Sequence, residues 1–262
     1  MQQSNSSYDQ DLLRQLVTLA AIIGAFVVNV VSNIFPLNGL SIGEISNTLF
    51  KNVQIIPANY AFAIWGLIYV GLFALGIYQV LPNQRHDSDL RKISYLLVIA
   101  CFAQSIWVYL FLSRLFALSV VAMLGILLPL MTIYLRLGIG TNPVSRIKKW
   151  CVTIPISIYL AWISVATIVN VASALYFVGW NGWGISAEVW TVIMLLVAAA
   201  LATFIAVQRR DIAYPGVTVW AMVAVAMKQW DNPILRILSL VCAVALIVLI
   251  VIKYSRTQFL NA

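Results

Sequence analysis

Long apolar segments constrain this chain more than any other feature of its sequence. A helix that crosses the hydrocarbon core of a bilayer needs about 20 mostly apolar residues, and the 262-residue chain contains eight such segments. Only 9% of its residues are charged, whereas soluble domains carry about a quarter. We therefore predict an all-α polytopic membrane helix bundle. The predicted spans are residues 12–33, 60–80, 93–112, 115–136, 151–177, 187–207, 212–229 and 234–254.

The basic residues predict how these spans are oriented. When the 16 Lys and Arg residues are assigned to alternate sides of eight spans, twelve fall on the side of the N-terminus. The other four are Lys51, Arg114, Lys228 and Arg236. Cytoplasmic loops carry the excess of Lys and Arg, so both termini are predicted to be cytoplasmic. The net charge of +8 therefore does not indicate nucleic-acid binding. The expected partners are membrane lipids, and no nucleic acid is expected.

Reactive side chains are scarce in the predicted spans. Cys101, Cys151 and Cys242 are far apart in the sequence, and the single histidine, His86, lies in a polar loop. No Asp, Glu, Lys or Arg stands near the middle of a span. This pattern argues against the usual metal sites, against histidine-ligated haem and against ion-driven transport. We therefore predict no metal, no catalytic residue, no obligatory cofactor and no enzymatic activity.

Aromatic and polar residues recur at helical spacing in three of the spans. Spacings of three and four residues place side chains on one helical face. The candidate ligand-binding residues are Phe62, Trp65 and Tyr69 in the second span, Gln104, Trp107 and Phe111 in the third, and Trp162, Ala166 and Asn170 in the fifth. Large ring faces with little charge suit a flat, mostly apolar ligand. The alternative is a packed core in which the amides of Gln104 and Asn170 join helices.

The longest connection on the predicted non-cytoplasmic side covers residues 34–57. It contains "SIGE" at residues 41–44, a capping-box pattern, followed by apolar residues at helical spacing up to Val53. We predict a short amphipathic helix over the ends of the bundle. It is either a lid or an interfacial helix without a gating role.

Three stretches, in order, resemble the TspO/translocator protein family, also called tryptophan-rich sensory proteins. "PANYAFAIWGLIYVG" at residues 57–71 resembles the second-helix signature of that family. "QSIWVYLF" at residues 104–111 is similar to its third-helix pattern, with Gln104 in place of the usual Asn. "YLAWISVATIVN" at residues 159–170 is close to its fifth-helix motif.

The resemblance implies five membrane helices around a pocket that the first loop covers. It further implies binding of porphyrins and related tetrapyrroles, or of sterols, with Trp65, Trp162 and Ala166 at pocket-lining positions. A TspO-like domain is expected over residues 1–180, and an extension of about three transmembrane helices over residues 181–262. Asn59 replaces part of the family's double-proline entry, and the fifth helix lacks the sterol motif of animal members.

Several functions stay open at this stage. The preferred hypothesis is a planar apolar ligand, porphyrin-like or sterol-like, bound in an intramembrane pocket lined by Trp65, Tyr69, Trp107, Trp162 and Ala166, with a sensory, regulatory or transport role. The alternative is a structural or assembly subunit of a larger membrane pigment–protein complex. Porphyrin degradation, an activity proposed for some relatives, is a further hypothesis. The expected partners are membrane lipids and a planar hydrophobic small molecule, and a homodimer or association with a larger complex stays open.

The distribution of basic residues leads to a testable topology. Cysteines placed at Ser4 and in the loop 85–92 should both be labelled from the cytoplasmic side, because both lie on the side that carries the excess of Lys and Arg. A membrane-impermeant maleimide in oriented vesicles measures this. Labelling from opposite sides would contradict the eight-span topology.

Overall fold

The structure, a computed structural model, describes the backbone of residues 2–259 and the side chains of residues 9–253 and 255. Both chain ends, and the side chain of Arg256 that belongs to the predicted cytoplasmic set, lie outside the described residues. The helices are α1 (Gln2–Ile34), α2 (Ile42–Thr48), α3 (Ile64–Val80), α4 (Ser88–Leu112), α5 (Phe116–Arg136), α6 (Arg146–Lys148), α7 (Ile154–Phe177), α8 (Ala187–Gln208), α9 (Ala213–Lys228) and α10 (Pro233–Phe259).

Seven segments of the described chain are helical, long and apolar enough to cross a membrane. This confirms an all-α polytopic membrane bundle. The seventh predicted span, 212–229, is also helical, but the corresponding α9 has 16 residues. At 1.5 Å per residue it is about 24 Å long, shorter than the roughly 30 Å hydrocarbon core. Pro215 near its start and the polar sequence after Lys228 limit its length.

The chain divides into two compact units. The first comprises Met1–Ile42 and Trp65–Leu160, and the second comprises Gly43–Ile64 and Ala161–Ala262. None of these boundaries falls at residue 180, and the two predicted domains stay a prediction.

In the first unit, α4 packs along both α1 and α5. Glycines bring α3 close to its neighbours. A Cβ atom on Gly71 would lie 2.9 Å from the Cβ of Pro155, and one on Gly76 would lie 3.0 Å from Cδ1 of Leu19. Small residues permit this close approach of helices in membrane bundles.

A buried polar cluster joins α1, α3 and α4 in the same unit. The guanidinium of Arg14 donates to Ser94 Oγ at 3.0 Å and to the carbonyl of Arg85 at 2.9 Å. The side chains of Gln15 and Gln79 each donate to the other residue's backbone carbonyl. The terminal guanidinium nitrogens of Arg14 and the amide nitrogens of Gln15 and Gln79 are therefore bonded within the protein, as is usual for buried donors. Arg14 Nε and Gln79 Oε1 are buried without a hydrogen-bond partner among the described residues.

An ion-pair cluster holds the start of α4 to α6. Lys148 Nζ lies 2.8 Å from carboxylate oxygens of both Asp87 and Asp89. Asp87 also caps α4 by accepting from the backbone N–H groups of Asp89 and Leu90. Burial raises the pKa of Asp87, but the hydrogen bonds from Lys148 and the backbone outweigh it and hold that pKa below its ordinary value.

The second unit contains the packed helices α8, α9 and α10, and the 3-10 turn Asn59–Ala63 rests on α9. The predicted short helix of the first loop is present as α2, which buries Ile45. It ends at Thr48, because the chain turns there and then buries Phe50 and Val53. The remaining part of this loop is thus not a continuous amphipathic helix.

The ion-pair cluster leads to a prediction about stability. Lys148→Met should lower the free energy of unfolding near neutral pH by about 1.5–3 kcal/mol, the usual contribution of hydrogen bonds to charged groups. Folding lowers the pKa of Asp87, so its stabilisation is complete above the unfolded pKa of about 3.9 and is lost as the pH falls through the folded value.

The difference in thermal denaturation temperature between parent and Lys148→Met should therefore be largest near neutral pH and narrow below about pH 4. Lys149→Met, at an exposed neighbouring lysine, is the matched control and should change little. A difference that is constant across this pH range would contradict the role given to Asp87.

Candidate functional site

The predicted ring stack of α3 is present for two of its three members. The rings of Trp65 and Tyr69 are stacked with centroids 5.9 Å apart, and Trp65 also meets the ring of Tyr159 at 6.1 Å. Tyr69 is buried, while Trp65 is half-buried. Phe62 precedes α3, because the chain forms the 3-10 turn Asn59–Ala63 before the α-helix starts at Ile64.

A hydrogen-bonded chain of buried side chains crosses the first unit. Tyr159 donates its hydroxyl to Oε1 of Gln104. Gln104 donates through Nε2 to the hydroxyl of Tyr69, which donates to the carbonyl of Ala25 at 3.1 Å. The network therefore connects α7, α4, α3 and α1.

The network gives Gln104 partners on both ends of its amide. The side chains of Gln104 and Tyr159 are at most 1% exposed, and an unpaired polar group at this depth would cost about 1–3 kcal/mol. Tyr159 is not among the nine predicted site residues, although it stands one helical turn before Trp162 in the same motif. These amide and hydroxyl groups bond the helices to one another.

Trp107 and Phe111 pack with one another and with the next helix. Their ring centroids lie 5.2 Å apart, and the ring of Phe111 meets Phe116 of α5 edge-to-face at 5.1 Å. All three are buried. This part of the predicted site joins α4 to α5 within the first unit.

The remaining predicted residues lie in the second unit, around Trp162. This side chain is 3% exposed, and the ring of Phe62 meets it edge-to-face at 6.1 Å and 83°. Ala166 and Asn170 follow on the same face of α7, at intervals of four residues. Asn170 is buried, while Ala166 and Phe62 are half-buried. The cavity predicted for Trp65, Tyr69, Trp107, Trp162 and Ala166 together stays a prediction.

The indole nitrogen of Trp162 stands out among these groups. Its Nε1 is buried and has no hydrogen-bond partner among the described residues. A buried indole N–H usually finds an acceptor, as the Trp190 N–H does at the carbonyl of Gly182, 3.0 Å away. Trp162 thus offers a donor that an acceptor on a bound molecule would satisfy.

A small apolar cavity of about 20 Å³ lies elsewhere in the second unit. It has room for about one water molecule, and the hydroxyl of Thr218 in its wall donates to the carbonyl of Tyr214 at 3.3 Å. Ligand pockets of drug-sized molecules measure about 300–1,000 Å³, so this cavity does not admit a tetrapyrrole. Its lining residues are Ile55, Val165, Ile168, Met194, Leu195, Ala198, Thr218, Ala221, Met222 and Val225.

The buried network predicts strong coupling between two residues. Gln104→Leu and Tyr159→Phe should each destabilise the protein, the former by about 1–3 kcal/mol because it leaves the Tyr159 hydroxyl unpaired. The double variant should lose less than the sum, since neither orphaned group is then present. Thermal unfolding in detergent measures the cycle, with Tyr109→Phe, an exposed tyrosine of α4, as the control. Additive losses would contradict the network.

The comparison with known proteins covers nearly the whole chain. Residues 15–252 match the family model described as TSPO-like protein, and this range includes the C-terminal helices that the sequence analysis assigns to an extension. No curated protein and no solved structure matches the chain. With the family model matched along α1 to α10, the chain belongs to the TspO-like protein family.

Proposed function

We propose that this integral membrane TspO-like protein binds a planar, mostly apolar ligand of the tetrapyrrole or sterol class against Trp162, in a sensory, regulatory or transport role. The observation that carries the proposal is the buried, unpartnered indole N–H of Trp162 among the described residues. Ala166 and Asn170 stand on the same face of α7 as Trp162. The ring of Phe62 lies against Trp162.

The chemistry of this face fits such a ligand. An indole donor in apolar surroundings costs about 1–3 kcal/mol when it is unpaired. A carboxylate or ring nitrogen of a tetrapyrrole, or the hydroxyl of a sterol, would accept from it. The ring of Trp162 adds a large flat surface, and the small side chain of Ala166 leaves room beside it.

Catalysis is not part of the proposal. Among the described residues, no group of three or more His, Cys, Asp and Glu side chains could hold a metal ion. The buried polar groups near the predicted site are amides and phenols that bond to one another. A ligand held by rings and a single donor suits binding rather than bond cleavage.

A structural or assembly subunit of a larger membrane complex is the second candidate. The packing of Trp107 on Phe111, and of Phe111 against Phe116, favours it, because these rings join helices. The amide of Gln104 also joins helices, through its hydrogen bonds with Tyr69 and Tyr159. In that case the aromatic residues would stabilise the bundle, and the protein would act through its surface.

Binding of protoporphyrin IX to the protein in lipid nanodiscs tests the proposal. Trp162→Ala should weaken binding at least about tenfold, because it removes a large buried ring surface and the N–H donor. Trp162→Phe, which retains a ring, should weaken it by about fivefold through loss of one hydrogen bond. Ala166→Phe should abolish binding, because its ring would occupy the space beside Trp162 that the proposal gives to the ligand.

Quenching of tryptophan fluorescence and the Soret band of the porphyrin measure the affinity. Trp183→Ala is the matched control, since this indole is 76% exposed. Saturable binding that is unchanged in both Trp162→Ala and Ala166→Phe would remove the ligand from α7. No binding by the parent, together with lower thermal stability of both variants, would favour the structural subunit.

A further inference from the structure

The first loop and the 3-10 turn that follows it are bonded to α9, more than 150 residues further along the chain. We infer that α9 holds the segment Ala58–Phe62 in place, with Trp220 as the positioning residue, and that release of this contact controls access to Trp162. The part about access rests on the proposed function. The part about the contact rests on the geometry of the second unit alone.

One contact is a hydrogen bond between two backbones. The N–H of Ala58 donates to the carbonyl of Ala224 in α9 at 2.9 Å. A carbonyl oxygen has two lone pairs, so Ala224 can accept this bond in addition to one within its helix. Ala224 is 0% exposed, and its small side chain allows the loop backbone to come this close.

Trp220 fixes the same segment one turn earlier on α9. Its Nε1 donates to the carbonyl of Ala61 at 3.2 Å. Its ring also meets Tyr60 edge-to-face, with centroids 5.0 Å apart at 83°. Ala224 thus bonds to the residue just before the 3-10 turn, and Trp220 bonds to the middle of the turn.

The C-terminal end of α9 holds the rest of the loop. Lys228 Nζ donates to Oδ1 of Asn47 in α2 at 2.6 Å, and Asn47 in turn donates to the side chain of Asn59. Gln229 Nε2 donates to the carbonyl of Gln54 at 2.9 Å. A loop without contacts of this kind would open at little cost in free energy.

The segment Ala58–Phe62, which is bonded to α9, ends at Phe62. The ring of Phe62 lies against Trp162, and Ala61, the residue before it, supplies the carbonyl that Trp220 binds. If the contact with α9 opens, Phe62 is released with the turn. Access to the Trp162 indole would then follow the opening of the contact between the loop and α9.

Hydrogen exchange of the Ala58 amide tests the contact in the full-length protein. Trp220→Phe keeps a ring against Tyr60 but removes the donor to Ala61. We expect the exchange of Ala58 and its neighbours to accelerate by about fivefold, the factor that one hydrogen bond of about 1 kcal/mol produces. Gln229→Ala is a second variant. It removes the bond from Gln229 to the carbonyl of Gln54 and should accelerate exchange around Gln54.

Trp190→Phe is the matched control for this experiment. It removes the same kind of bond, an indole N–H to a loop carbonyl at 3.0 Å, in the connection between α7 and α8. It should leave exchange at Ala58 unchanged. An Ala58 amide that exchanges at the unprotected rate in the parent, or equally slowly in all of these variants, would overturn the inference.

The rate of protoporphyrin IX binding tests the control of access. If the loop must open first, Trp220→Phe should raise the association and dissociation rates by about the same factor, near fivefold, with little change in Kd. Faster exchange at Ala58 with unchanged binding rates would overturn the role in access. If the parent shows no saturable binding, the proposed function fails, while hydrogen exchange still decides whether α9 holds the loop.

Discussion

The rest of the structure depends on one constraint, which is that the hydrocarbon core offers no hydrogen-bond partners. Every buried polar group must therefore be bonded within the chain. Helices satisfy the backbone, and the network from Tyr159 through Gln104 and Tyr69 to Ala25 satisfies polar side chains deep in the bundle. Lys148 is bonded to Asp87 and Asp89, and Arg14 is bonded through its two terminal guanidinium nitrogens. The constraint thus explains why so few polar residues are present and why each has a specific place.

The same constraint makes exceptions informative. The indole nitrogen of Trp162 is buried and unpartnered among the described residues, whereas that of Trp220 is bonded to the first loop. Two chemically identical groups therefore differ in what they leave for a ligand. The proposed function rests on this difference rather than on the number of aromatic residues, most of which serve packing.

Among the C-terminal helices, α9 is bonded to the first loop and to the 3-10 turn that follows it. In a family implied by resemblance to have five helices, additional helices need a reason to be present. Here α9 has 16 residues and is shorter than the seven long apolar helices. It uses Trp220, Ala224, Lys228 and Gln229 to bind the loop and the turn that follows it. The family match extends to residue 252, so the C-terminal helices are part of the matched family region.

Sequence alone determined the class of protein and the positions of its long helices. A bilayer span is a continuous segment of about 20 mostly apolar residues, and such a segment is visible locally in the sequence. The ring stack of Trp65 and Tyr69 was predictable for the same reason, since both stand on one helix. Phe62 was placed on that helix wrongly. Local spacing does not show that the Ala61 carbonyl bonds to Trp220 and that the chain forms a 3-10 turn there.

Contacts between residues distant in the chain were decided only by tertiary structure. The spacing that brought Gln104 into the predicted site did not reveal that its amide is used by Tyr69 and Tyr159. Similarly, nothing local links Ala58 to Ala224. Such bonds depend on how helices pack, and the sequence of each helix specifies its apolar faces but not which polar group will lie opposite. Sequence therefore determined the helices and the family, and packing decided which of their polar groups remain available to a ligand.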